Sequence, residues 1–140
     1  MDQYVRDLMT PNPSTVRAGA SVVEAAKLMR DHDIGDVVVI EDDRLCGILT
    51  DRDIVVRGLA QGADPATTKV GDICSRDLTT VTPTTSVAQA IQVMRGKAIR
   101  RLPVVEDGGR VVGIVSIGDL AVERDRRSTL GEISAAPPNV

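Results

Sequence analysis

The stretch Gly47-Ile48-Leu49-Thr50-Asp51-Arg52-Asp53-Ile54 returns later in the chain as Gly113-Ile114-Val115-Ser116-Ile117-Gly118-Asp119-Leu120. In both copies a short apolar run ends in a hydroxyl residue, and an aspartate stands three positions on. The apolar run reads as a strand, and the residues after it as the start of a helix. Such a turn suits a sugar or a phosphate, because the free N–H groups of a first helical turn face anions. The same spacing is also a helix-capping pattern, and the two roles can coexist.

On either side of these turns the whole chain divides into two related halves. Val5-Arg6-Asp7-Leu8-Met9 corresponds to Val70-Gly71-Asp72-Ile73-Cys74, an offset of 65 (70 − 5). The same offset pairs Thr15-Val16 with Thr80-Val81, Ser21-Val22 with Ser86-Val87, and Met29-Arg30 with Met94-Arg95. One extra residue near Gly108-Gly109 moves the offset to 66 and aligns Gly47 with Gly113. Each half starts with a connecting segment and a Thr-Val strand. Ser21 with Glu24, and Ser86 with Gln89, then have the spacing of a capping box. The next helices carry apolar faces at Val22, Ala25, Ala26 and Met29, and at Val87, Ala90, Ile91 and Met94. Val37-Val38-Val39-Ile40 and Leu102-Pro103-Val104-Val105 read as buried strands, with Pro103 expected at a strand start. Acidic tips come next, at Glu41-Asp42-Asp43 and Glu106-Asp107-Gly108-Gly109. A helix over about Arg52 to Gln61 stops at Gly62, and its counterpart runs from near Ile117 through Asp125.

The pattern is therefore β-α-β-β-α, twice, in an α/β (α+β) chain. The divisions are residues 1–64 for the first repeat, 65–126 for the second, and 127–140 for a small, Pro-rich tail expected to fray. A single repeat of about 60 residues is marginal alone. Two of them are expected to pack face to face about a pseudo-twofold axis.

Composition narrows the function. The 140 residues are 42% hydrophobic but hold no Phe, no Trp and one Tyr, so packing rests on Val, Ile, Leu, Ala and Met. A net charge of −3 and a pI near 5.1 give no general nucleic-acid surface. No window approaches the roughly 20 apolar residues of a membrane span, and the N-terminus lacks a signal-peptide pattern, so a cytoplasmic protein is expected. Cys46 and Cys74 form no CxxC pair and read as small buried thiols. His32 is the only histidine. There is no Ser/His/Asp set, no Cys/His pair, no Walker loop and no metal cluster, so an enzyme is not expected.

Taken in order, the repeated residues resemble a tandem pair of CBS domains, the Bateman module. The likeness covers about residues 4 to 126. It rests on Val5-Arg6-Asp7-Leu8-Met9-Thr10, Leu28-Met29-Arg30, Asp33-Ile34-Gly35, the two quoted turns, and Ile99-Arg100-Arg101-Leu102-Pro103-Val104-Val105. The resemblance implies a stand-alone regulatory module that binds an adenosine-containing ligand and pairs into a flat, disc-like homodimer. It implies nucleotide contacts from Thr50 and Asp53, from Ser116 and Asp119, and from Arg100 and Arg101 just before a strand. It also implies that Val16, Ile34, Val81 and Ile99 line adenine slots, although for any one of them alone core packing is the stronger reading. The chemistry fits: a carboxylate accepts ribose hydroxyls, and Arg meets phosphate in a bidentate fashion. The first repeat has Gly35 and Asp36 where the second has Arg100 and Arg101, so two unequal sites are expected. AMP, ADP, ATP and S-adenosylmethionine all remain open as the ligand. No cofactor is required, and Mg²⁺ is expected only with a bound polyphosphate. Partners are then an adenine nucleotide, a second copy of the chain and an unidentified target protein, with no nucleic acid and no membrane. The apolar Ile54, Val55 and Leu59 form a candidate dimer face. The alternative is a ligand-independent interaction or stress-response protein that keeps the fold.

Overall fold

The computed structural model of the protein describes residues 3–76 and 78–120. The helix expected beyond Leu120 and the tail at 127–140 lie outside the described residues. In chain order the elements are α1 (Val5–Leu8), β1 (Thr10–Pro11), β2 (Thr15–Arg17), α2 (Val22–His32), β3 (Asp36–Glu41), β4 (Arg44–Thr50) and α3 (Asp51–Asp53). After these come α4 (Val70–Ile73), α5 (Val87–Lys97), β5 (Arg101–Val105) and β6 (Val111–Ser116). The helix begun by α3 continues as a π-helical turn, Ile54–Gly58, and a 3₁₀ turn, Leu59–Gln61. It stops at Gly62, whose φ of 77° is open to glycine at little cost. The mixed α+β content with two three-stranded sheets agrees with the expected fold class.

The chain forms two compact units. Among the described residues, one is built from Asn12–Thr79 with Val105–Val111, the other from residues 3–11, Thr80–Val104 and residues 112–120. In the first unit the sheet order is β2-β3-β4. β2 runs parallel to β3, with Val16 opposite Val39, and β3 pairs antiparallel with β4 from Asp36↔Thr50 to Glu41↔Arg44. Asp42 and Asp43 turn this hairpin with φ of 53° and 61°, the positive pair that a two-residue turn needs to match strand twist. α2 covers the sheet with Val22, Ala25 and Met29. Ala26, expected on the same face, is exposed, and Leu28 packs there instead. Ser21 caps the helix by accepting from the Glu24 N–H at 3.1 Å. The return half of the box is not formed, and Ser21 instead bridges Lys69. Ser86 and Gln89 behave alike in the other unit, where Ser86 bridges Tyr4.

The second unit has the sheet order β1-β6-β5, covered by Val87, Ala90 and Met94 of α5. Its first strand is reduced to one parallel bridge, Val81↔Val104. Pro103 explains the reduction. It lies in the middle of β5, buried, and not at the strand start expected from sequence. Its counterpart Val38 donates its N–H to Ser14 O at 2.9 Å. Proline has no N–H to give, so the matching bond is lost and only Val81 N–H to Pro103 O, 3.1 Å, remains.

Each unit takes its opening helix from the other repeat. α1 and β1 belong with the second repeat's sheet, where Thr10 pairs with Ile114 and Val5 N–H reaches Thr85 O at 2.8 Å. α4 belongs with the first repeat's sheet, where Ser75 pairs with Ile48 and Val70 N–H reaches Ala20 O at 2.8 Å. These are the same contacts, shifted by the repeat offset. Gly47 and Gly113 make the approach possible. A Cβ on Gly47 would lie 2.6 Å from Ser75 O and 2.7 Å from Cys74 Sγ, and one on Gly113 would collide with Met9 Sδ and sit 3.0 Å from Thr10 O. Gly47→Ala and Gly113→Ala are each expected to cost ~1–3 kcal/mol through overpacking. Gly96→Ala, on an open stretch of helix with nothing within 4 Å, is expected to add ~0.5–1 kcal/mol. Urea unfolding of the three variants checks this, and equal effects at all three sites would show that close approach is not the constraint.

Candidate functional site: two capped strand-to-helix turns

At the end of β4 the turn is built by reciprocal capping. Thr50 Oγ1 accepts from the Asp53 N–H at 3.1 Å, and Thr50 N–H donates to Asp53 Oδ2 at 2.9 Å. At the end of β6 the same pair recurs, Asp119 N–H to Ser116 Oγ at 3.2 Å and Ser116 N–H to Asp119 Oδ2 at 3.1 Å. The capping role of the motif is thus present in both copies. It spends one oxygen of each carboxylate and holds the other in a fixed direction.

A backbone bond ties each turn to the entrance of the neighbouring strand. Asp51 N–H donates to Gly35 O at 2.9 Å, and Ile117 N–H donates to Arg100 O at 2.7 Å. In the first unit this gathers Ile34, Gly35 and Asp36 beside Thr50 and Asp53. In the second it gathers Ile99, Arg100 and Arg101 beside Ser116 and Asp119. Arg100 and Arg101 are exposed. A side chain at Gly35 would meet the Asp51 carboxylate at 3.4 Å, so the two entrances differ in shape as well as in charge. Val16 and Ile34 pack half-buried against the first core, and Val16 also lines an open depression with Thr15, Arg17 and Leu28. Ile99 packs half-buried against the second core, while Val81, 6% exposed, is a full member of it.

Sequence reasoning passed over two arginines. Arg57 Nε lies 3.9 Å from Asp53 Oδ1, with side-chain exposures of 54% and 14%. The i,i+4 acid-to-base spacing was the available signal, and on a helix surface such a pair is worth only ~0.3–0.5 kcal/mol. Arg76 donates from Nη1 to Cys46 Sγ at 3.0 Å while Nε and Nη2 hold Gly71 O at 3.2 and 2.8 Å. Cys74 is buried as expected, and Cys46 is half-buried; both are free thiols. Burial pushes the Cys74 thiol above its ordinary value, with the Arg76 guanidinium opposing the shift. Among the described residues no group of three or more His, Cys, Asp or Glu is placed to hold a metal ion. None of the described helices is long and apolar enough to cross a membrane.

Comparison with known proteins agrees with this duplicated arrangement. The CBS domain family model matches residues 5–59 and again 70–125. The chain is 42% identical over 127 residues to the CBS domain-containing protein YhcV of Bacillus subtilis, covering 91% of this chain and 89% of that one. It is 40% identical over 117 residues to Hypoxic response protein 1 of Mycobacterium tuberculosis, covering 83% and 81%. The CBS domain pair of protein MJ0100, solved in complex with 5′-methylthioadenosine and S-adenosyl-L-methionine, superposes with a TM-score of 0.78 at 29% identity, over 91% of this chain and 99% of that one. The chain belongs to the CBS domain family and carries two copies of the domain.

Because Asp53 and Asp119 close their turns, Asp53→Ala or Asp119→Ala is expected to cost ~0.5–2 kcal/mol as a lost cap. Asp53→Asn keeps an amide oxygen for the Thr50 N–H and is expected to retain most of that stability. Thermal unfolding of the alanine and asparagine variants side by side checks the assignment, which fails if the two are equally destabilised.

Proposed function

We propose that the protein is a non-catalytic sensor module. It binds an adenosine-containing ligand, AMP, ADP, ATP or S-adenosylmethionine, at the Thr50–Asp53 and Ser116–Asp119 turns and signals to a partner protein. The observation that carries the reading is the pair of clamped turns, each with one carboxylate oxygen committed to the cap and the other held in place. That second oxygen has two lone pairs, so it can accept from both hydroxyls of a ribose. The adenosyl compounds bound by the MJ0100 domain pair support the ligand class. Arg100 and Arg101 supply phosphate contacts beside Ser116, and the half-buried Val16, Ile34 and Ile99, with the nearly buried Val81, flank the base.

In this reading the module acts as a homodimer. Val55 and Leu59, each 55% exposed, and the exposed Val56 stand on the helical segment after Asp53. Ile54, which sequence placed in the same set, packs against the monomer core instead. Three outward apolar side chains on one short segment favour a second copy as their cover. Leu59→Glu is expected to convert the dimer to monomer in gel filtration with light scattering; a wild-type monomer sinks the dimer.

The ligand claim is tested by thermal shift with AMP, ADP, ATP, S-adenosylmethionine, NAD and GMP. One adenosyl compound is expected to stabilise the protein saturably, by ~2.7 kcal/mol at a hundredfold excess over Kd, with Asp53→Asn and Asp119→Asn weakening the response. Kinship with Hypoxic response protein 1 favours a second reading, a stress-linked interaction protein that needs no ligand. Silence across the panel, together with partner capture that nucleotides leave unchanged, would favour it.

A further inference from the structure

Among the described residues, the two turns have their nearby positive charge on different elements. In the second repeat the strand entrance supplies Arg100 and Arg101. In the first repeat the matching positions are Gly35 and Asp36, and the nearby cation stands instead on the helical segment, as Arg57 four residues past Asp53. The residue at the Arg57 position in the second repeat is Glu123 (57 + 66). Arg57 also sits within the Ile54–Gly58 π-helical turn, a winding uncommon in proteins and frequent beside functional sites. Its Nε lies 3.9 Å from Asp53 Oδ1, the carboxylate oxygen that the cap leaves unspent.

We infer that Arg57 is the anion-contact residue of the Thr50–Asp53 turn and makes it selective for adenosyl ligands that carry a negative charge. This rests on the sensor reading and adds a determinant to it. Without ligand, Arg57 lies against Asp53 in a weak, mostly exposed pair. When ribose hydroxyls take Asp53 Oδ1, the guanidinium is displaced by a short distance and meets a phosphate on the same ligand, where its flat fork suits two oxygens at once. The first turn is thereby a phosphate site built from the helix, where the strand entrance offers an acid.

The test uses the full chain carrying Asp119→Asn, which leaves the second turn no spare acceptor oxygen, and titrates adenosine and AMP by calorimetry. Arg57→Ala is expected to weaken AMP about tenfold, the measure of one charge-assisted hydrogen bond, while adenosine affinity holds. Arg57→Lys is expected to restore part of the loss, and added salt to shrink the AMP advantage. An AMP-to-adenosine ratio that Arg57→Ala leaves unchanged overturns the role of Arg57 alone. Failure of the Asp119→Asn protein to bind either compound overturns the sensor reading at this turn, and Arg57 with it.

Discussion

The absence of a side chain at Gly47 and Gly113 is the constraint on which the two sheets depend. Each glycine sits in the strand that leads into a capped turn, and each is met by backbone from the opening of the other repeat. A methyl group there would lie within about 3 Å of a carbonyl oxygen that is itself fixed in the ladder. The pairing of Thr10 with Ile114, and of Ser75 with Ile48, adds the edge that buries Val5 in one core and Val70 in the other. A repeat of this size has too little surface to bury for independent stability, and exchange of the opening helices lends each core residues that lie far away in sequence.

From those strands the two turns inherit their rigidity. Capping by Thr50 with Asp53, and by Ser116 with Asp119, answers backbone donors that a helix start leaves unpaired. The backbone bonds to Gly35 O and Arg100 O then fix each turn against the next strand. A carboxylate already bound through one oxygen loses little further freedom when a ligand takes the other, which is the sense in which the turn is preorganised. Structural capping and the proposed ligand recognition would therefore be two uses of one arrangement.

The repeats are equal in backbone and unequal in chemistry. Pro103 removes a ladder bond that Val38 makes, and shortens one sheet. Arg100 and Arg101 replace Gly35 and Asp36, and charge changes sign between Arg57 and Glu123. Duplication preserved the glycines and the caps, which the fold needs. The positions around the caps differ between the repeats, and in the proposed reading they are where a ligand would tell the two turns apart.

Much of this was legible in the chain itself. The offset of 65 then 66 gave the two repeats, and hydrophobic period gave the helices with their buried Val22, Ala25 and Met29 and their counterparts. The hydroxyl-to-aspartate spacing located both turns, because capping is a local interaction between residues three apart. Sequence could not decide anything set by residues distant along the chain. It placed Ala26 and Ile54 by local period, but which arc of a helix meets the sheet is settled by the packing of other elements. It put Pro103 at a strand start, since the partner whose bond proline forfeits, Ser14 in the other copy, is visible only once strands are paired. The exchange of α1 and α4 left no local trace beyond two glycines, and the meeting of Arg76 with Cys46 none at all. Those contacts depend on the tertiary arrangement, which alone brings residues 30 or 100 positions apart within reach of a hydrogen bond.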